Sequence, residues 1–203
     1  MLSINNHARR GNLFGEVPLH RFAIPIRCIT AHLKRGGLIA YPTEYCYGLG
    51  CDPRNRNAVL RLLKLKSRTQ RKGLILIAGK YAQLAPYLKS LSPDEQEKLQ
   101  RDGAQAITYL MPAKPSVPRW LRGAHDTLAV RITAHPEAAA LCNALDMALV
   151  STSANRSGAK PARTYAQCRR LFGESVWVLP GKVGARKKPS TIRAWMSGNI
   201  IRE

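Results

Sequence analysis

The sequence predicts a single α/β domain, a three-layer arrangement with helices packed on a mixed sheet. Three observations carry that prediction. Short apolar runs alternate with helical repeats from residue 24 onward. No internal repeat, long linker or composition break interrupts them. A length of 203 residues, 45% of them hydrophobic, suits one buried core and little more.

The elements follow in chain order. Residues 1–22 read as an N-terminal extension with Arg9 and Arg10 and no apolar leader, and the domain is expected over residues 23–203. Ile26, Ile29 and Leu33 recur at helical spacing, with Pro25 in the first turn and Gly36-Gly37 as a stop. Leu38–Tyr41 is a buried-strand pattern ended by Pro42. Asn55–Lys66 reads as a helix, and the unbroken apolar run Leu74–Ala78 as a central strand. Tyr81–Leu88 reads as helical. Ser92-Pro93-Asp94-Glu95 opens another helix with a capping box, and Gly103 closes it. Strands are expected at Ile107–Leu110 and Leu128–Ile132, a helix at Pro136–Leu145, and a strand at Ala148–Val150 running into Ser151. Thr164 caps a helix to Phe172. Val176–Leu179, Thr191–Trp195 and Ile200–Arg202 complete the set of strands.

Charge is the unusual property. Lys and Arg number 33 against 12 Asp and Glu, a formal +21. No acid occurs between Asp52 and Asp94, where eight Lys and Arg crowd residues 54–72. Such a field attracts polyanions, though solubility alone could also account for it. No apolar run approaches the roughly 18 residues of a membrane span. The five cysteines form no CxxC pair, so free thiols in a reducing, cytoplasmic setting are expected rather than zinc or disulfides.

Four polar clusters sit at the ends of strand candidates, where open α/β sheets place ligands. Pro42-Thr43-Glu44-Tyr45-Cys46-Tyr47-Gly48 holds more polar chemistry than a turn requires. Lys66 and Arg68 lie two apart where a helix gives way to loop. In extended backbone they would share a face and suit a polyphosphate, although a solvated basic helix end is the simpler account of this segment alone. Ser151-Thr152-Ser153-Ala154-Asn155-Arg156-Ser157-Gly158 offers five hydroxyl or amide side chains to an anion, without the pattern of a Walker A loop. Arg131 interrupts an apolar strand and needs an anionic partner. Acids are scarce, so a ligand anion is a fair candidate beside a structural carboxylate. His125 and His135 are expected at the surface or as caps.

Taken together, YPTE(x)3GLGCDP at 41–53, LKxR with KGLILIA at 65–78, LAVRIT(x)HP at 128–136 and STSANRSG at 151–158 closely resemble the YrdC/TsaC family, the threonylcarbamoyl-AMP synthases. The similarity spans roughly residues 24–203 in the same order. It implies a strongly twisted mixed sheet flanked by helices around a concave basic groove. It also implies an enzyme that joins L-threonine, bicarbonate and ATP into L-threonylcarbamoyl-AMP and releases pyrophosphate. The product would serve N6-threonylcarbamoyladenosine modification of tRNA by a separate transferase complex of the TsaD, TsaB and TsaE type. By the family pattern, Lys66 and Arg68 are catalytic. Lys66, Arg68, Thr127, Ser153 and Asn155 surround ATP, and Thr43, Arg131 and Thr152 hold threonine. Magnesium is expected to arrive with ATP, held by phosphates and water rather than by an acidic cage. No prosthetic group is implied, and tRNA or double-stranded RNA is an expected partner. Thr69 stands where the family often has Pro, the turn at 101–106 lacks a Trp-Pro-Gly-Pro-like run, and the loop at 182–190 is unusually basic. These departures keep open a second reading, a non-enzymatic RNA-binding or ribosome-maturation paralogue that uses the same groove.

Overall fold

A computed structural model describes residues 24–203. The extension expected over residues 1–22 lies outside them. The helices are α1 (Ile26–Lys34), α2 (Arg56–Leu65), α3 (Pro93–Gly103), α4 (Arg119–Arg122), α5 (Pro136–Leu145) and α6 (Tyr165–Phe172). The strands are β1 (Ile39–Pro42), β2 (Tyr47–Gly50), β3 (Ile75–Ala78), β4 (Ile107–Pro112), β5 (Thr127–Ile132), β6 (Leu149–Ser153), β7 (Trp177–Val178), β8 (Thr191–Ala194) and β9 (Ile200–Arg202). Local chemistry sets several boundaries. Asn55 Oδ1 accepts the Ala58 amide to start α2, Ser92 and Glu95 form a reciprocal capping box on α3, and Thr164 caps α6.

The strands form one mixed, twisted sheet in the order β7-β1-β2-β6-β3-β5-β4-β8-β9, with β3 at its centre. The pairs β1–β7, β3–β5 and β4–β8 are parallel, and the others are antiparallel. Alternation along each strand splits the interior into two cores. Ala40, Leu76, Ala78, Val130 and Val150 point into the larger one, with Val59 and Leu62 of α2, Leu99 of α3 and Phe172 of α6. Ile39, Tyr41, Ile77 and Leu149 point to the opposite face, where Ile29 and Leu33 of α1 and Leu141 of α5 cover them. This is the expected helix–sheet–helix layering. α1 and α5 cover only part of the second face, and the rest borders a cleft.

Three local expectations change. Tyr81–Leu88 is not a helix: a single 3-10 turn spans Tyr81–Gln83. Pro86 lacks an amide hydrogen and pushes Ala85 away from helical angles, so the turn cannot propagate. The polar segment after β1 contains a strand, β2, which pairs with β1 as a hairpin. Two glycines among its four residues concealed its β pattern. Lys66 and Arg68 do not share an extended stretch either. Lys66 caps α2 in helical conformation, and Ser67 is left-handed at φ 46°.

Candidate active site

The site grows from strand alternation. In β5 the even-numbered residues Leu128, Val130 and Ile132 enter the large core, so Thr127, Ala129 and Arg131 face the other way. Register aligns Ser151 of β6, Ile75 of β3, Ala129 of β5 and Leu110 of β4 in a row across four strands. All four line one cleft of about 570 Å³. Arg131 and Ser151 thus line a sheet face, while Thr43, Ser153 and Asn155 reach the same cleft from the ends of β1 and β6, as the sequence suggested.

Seven of the eight candidate residues line this cleft: Thr43, Arg68, Thr127, Arg131, Thr152, Ser153 and Asn155. Thr43 closes the β1–β2 turn. Its hydroxyl donates to the Cys46 carbonyl at 2.7 Å and its amide to the same oxygen at 3.1 Å, which leaves the hydroxyl lone pairs available. Ser153 Oγ donates to Asn155 Oδ1 at 2.7 Å, and Asn155 Nδ2 donates to the Ala159 carbonyl at 2.8 Å. These bonds fix the loop after β6.

Lys66 does not line the cleft. It is buried beneath the Ser153–Asn155 loop, where its ammonium donates to the Ser153 carbonyl at 2.7 Å, to Asn155 Oδ1 at 2.6 Å and to the Asn155 carbonyl. Burial, and then the charge of Arg68, push its pKa down to about 8. The three oxygens favour the charged form in opposition. Arg68 reaches the opening, anchored by Nη2 and Nε donating to the Gly73 carbonyl at 2.9 and 3.3 Å.

Arg131 has an acidic partner that scarcity of acids argued against. Glu44 Oε2 lies 3.1 Å from Arg131 Nη2, with both side chains only about a tenth exposed (10% and 11%). The expectation of a ligand anion as the balancing charge is therefore corrected in part. The hairpin brings the one nearby acid, 87 residues away in sequence, to the arginine. His135 caps α5 as expected, accepting the Ala138 amide at 3.4 Å through Nδ1 while Nε2 meets the Lys182 carbonyl at 3.0 Å. His125 is exposed at the surface, as expected, and also lines the cleft.

Sequence reading missed Lys72, Arg122, Ser190 and Arg202, which also line the cleft. Their only signal was alternation in short terminal strands and a general excess of charge. The lining holds five Lys and Arg and no Asp or Glu. Burial, and then Arg202, lower the pKa of Arg68, while burial, and then Arg131, lower that of Arg202. Three guanidiniums therefore converge on one space, and their repulsion is relieved by an anion entering it. Among the described residues, no group of three or more His, Cys, Asp or Glu could hold a metal ion. No described helix is long and apolar enough to cross a membrane.

Comparison with known proteins gives the same picture. Residues 31–203 match the family model Sua5_yciO_yrdC, described as telomere recombination. A threonylcarbamoyl-AMP synthase of Thiobacillus denitrificans is 52% identical over 172 residues, covering 85% of this chain and 92% of that protein. The crystal structure of P. abyssi Sua5 complexed with L-threonine superposes with a TM-score of 0.77 at 27% identity, over 86% of this chain and 52% of that one. E. coli YciO shares the fold, with a TM-score of 0.73 at 24% identity over 88% of both chains.

Proposed function

The chain belongs to the Sua5/YciO/YrdC family, and from that premise we propose that it is an ATP-dependent synthase of L-threonylcarbamoyl-AMP. The observation that carries this reading is the convergence of Arg68, Arg131 and Arg202 on one acid-free cleft also lined by Thr127 of β5 and by Ser151, Thr152 and Ser153 of β6. The threonine nitrogen adds to the carbon derived from bicarbonate, giving a carbamate and water. A carbamate oxygen then attacks the α-phosphorus of ATP, the bond to the β-phosphate breaks, and pyrophosphate leaves with the electron pair. Both partners in the second step are anions, so the chief requirement is fixed positive charge and alignment.

Arg68, Thr127, Ser153 and Asn155 take the nucleotide side of this proposal, with Lys66 beneath the loop that carries the last two. Arg131, Thr43 and Thr152 take threonine. Arg131 forks the carboxylate, and Thr43 can accept from the amino group because its own hydrogen is committed to Cys46. Mg²⁺ would arrive with ATP as part of the substrate and would neutralise phosphate charge, the acid-free lining offering it no carboxylate. The product passes to a tRNA-modifying transferase of the TsaD, TsaB and TsaE type, and the basic surface suits tRNA. The reading includes a cytoplasmic location, where the tRNA to be modified is at hand. A purely RNA-binding role is disfavoured because the relative at 52% identity over 92% of its own length is itself a synthase, and because the threonine-side polar residues are all present at the cleft.

The test is pyrophosphate release from ATP by the purified chain. It should require L-threonine, bicarbonate and Mg²⁺ together and fall on the order of 100-fold in Arg68→Ala. Release that ignores threonine would assign another acceptor. No release from folded, ATP-binding protein would leave the RNA-binding reading standing.

A further inference from the structure

The Arg131 side chain is nine-tenths buried, yet its guanidinium makes no hydrogen bond to any described protein group, and its Nε is enclosed without a partner. Its one protein contact of opposite charge is Glu44. A buried guanidinium carries five donors in a rigid plane and is costly to leave so poorly matched. Something must fix the direction of that plane before a ligand arrives.

Glu44 is held far more firmly than the arginine it faces. Its Oε1 accepts the Thr133 hydroxyl at 2.7 Å and the Ala134 amide at 3.2 Å. The Thr133 hydroxyl oxygen in turn accepts the His135 amide at 3.3 Å, from the residue that caps α5. The main chain of Glu44 is pinned from the other side by the basic loop that follows β7. There the Arg186 amide donates to the Glu44 carbonyl at 3.1 Å, and the Gly184 amide donates to the Thr43 carbonyl at 2.9 Å. Gly184 approaches so closely that an added Cβ would lie 2.8 Å from the Glu44 carbonyl oxygen. Oε2 has no hydrogen-bond donor of its own and is left facing Arg131.

We propose that Glu44 is a positioning residue for the threonine subsite: anchored by Thr133, Ala134 and the loop at 184–186, it orients Arg131 so that the remaining guanidinium edge meets the amino-acid carboxylate. The inference rests on the synthase reading. Glu44 does not line the cleft, so it acts through Arg131 rather than on the reacting atoms. It also keeps a permanent carboxylate beside Arg131, which prevents that guanidinium from turning toward the phosphate side occupied by Arg68 and Arg202. Binding is thereby sorted, with the small carboxylate at one arginine and the polyphosphate at the others.

The experiment measures L-threonine and ATP binding separately by calorimetry and pyrophosphate release by steady-state kinetics, for wild type, Glu44→Gln and Thr133→Val. Glu44→Gln keeps the acceptor for Thr133 but removes the charge. It should weaken threonine binding by about 10- to 100-fold, the size of one charge-assisted contact, while ATP binding moves less than about twofold. Thr133→Val leaves the charge and loosens its anchor, so it should shift the same threonine parameter by about 2- to 10-fold. It also provides the test if the first variant does not fold. A loss confined to kcat with threonine binding intact would make Glu44 a proton acceptor and overturn the proposal. Equal losses for ATP and threonine would make it a general structural support, with the same consequence. Wild type that neither binds nor requires threonine would sink the synthase reading itself, a result distinguishable from either.

Discussion

Lys66→Met tests how the phosphate-side loop is built. The substitution keeps an unbranched apolar stem of similar length and removes the ammonium. In the native protein that ammonium has three hydrogens and three oxygen partners: the carbonyls of Ser153 and Asn155 and Asn155 Oδ1. A hydrogen bond from a charged donor contributes roughly 1.5–3 kcal/mol. The three share one donor group, so they do not add, and water can reach Ser153, which is exposed. A net loss of about 3 kcal/mol is the resulting figure. For a domain of this size each kcal/mol lowers Tm by about 2–4 °C, so thermal unfolding followed by circular dichroism should fall by about 6–12 °C. Pyrophosphate release should fall with it, because Ser153 and Asn155 lose the support that aims them into the cleft. Arg68→Ala is the contrast. Its two bonds to the Gly73 carbonyl come from a half-buried side chain, so its Tm should stay within about 3 °C while nucleotide binding drops. If Lys66→Met unfolds within about 2 °C of wild type yet loses ATP affinity, the ammonium is not committed to the loop, and the reasoning from its three bonds is wrong.

Acid stability should carry the signature of Glu44. Burial by itself raises its pKa, but the Arg131 charge and the Thr133 hydrogen bond outweigh burial and hold it below its ordinary 4.5. A depressed carboxyl contributes stability that is fully present above 4.5 and lost as pH falls through the lower folded value. Urea unfolding from pH 6 down to 3 should therefore show a shallower decline in Glu44→Gln than in wild type, and parallel curves would contradict the pairing. Gly50→Ala should destabilise the β1–β2 hairpin by about 1–3 kcal/mol, since overpacking costs that much. Its added Cβ would lie 2.4 Å from the Val150 carbonyl oxygen, a backbone atom of a neighbouring strand, and an unchanged urea midpoint would show that the strands can part there.

Much of the fold was legible because its signals are local. Ser92, Pro93 and Glu95 announce the start of α3 by capping chemistry, Pro136 and Leu145 bound α5, and the unbroken run of β3 marks a strand buried on both sides. Local signals failed where competing residues were present. Pro86 stopped a helix that periodicity favoured, and Gly48 and Gly50 masked β2 because strand propensity counts them as breakers. The site was legible as residue types. Thr43, Arg68, Thr127, Arg131, Thr152, Ser153 and Asn155 were all singled out before their common cleft could be seen.

What the sequence determined by itself was this inventory: the elements, the excess of positive charge, and the polar residues placed in otherwise apolar strands. Tertiary structure decided which of them face one another. Strand register put Ser151, Ile75, Ala129 and Leu110 in one row, and the β1–β2 hairpin brought Glu44 to Arg131 across a separation of 87 in the numbering. The fold also turned Lys66 away from the cleft and into the base of a loop. Composition and spacing fix what a side chain can donate or accept. Its partners depend on pairings between distant strands, and the physical reason is that those pairings are chosen by the burial of whole faces, not by any residue at the site.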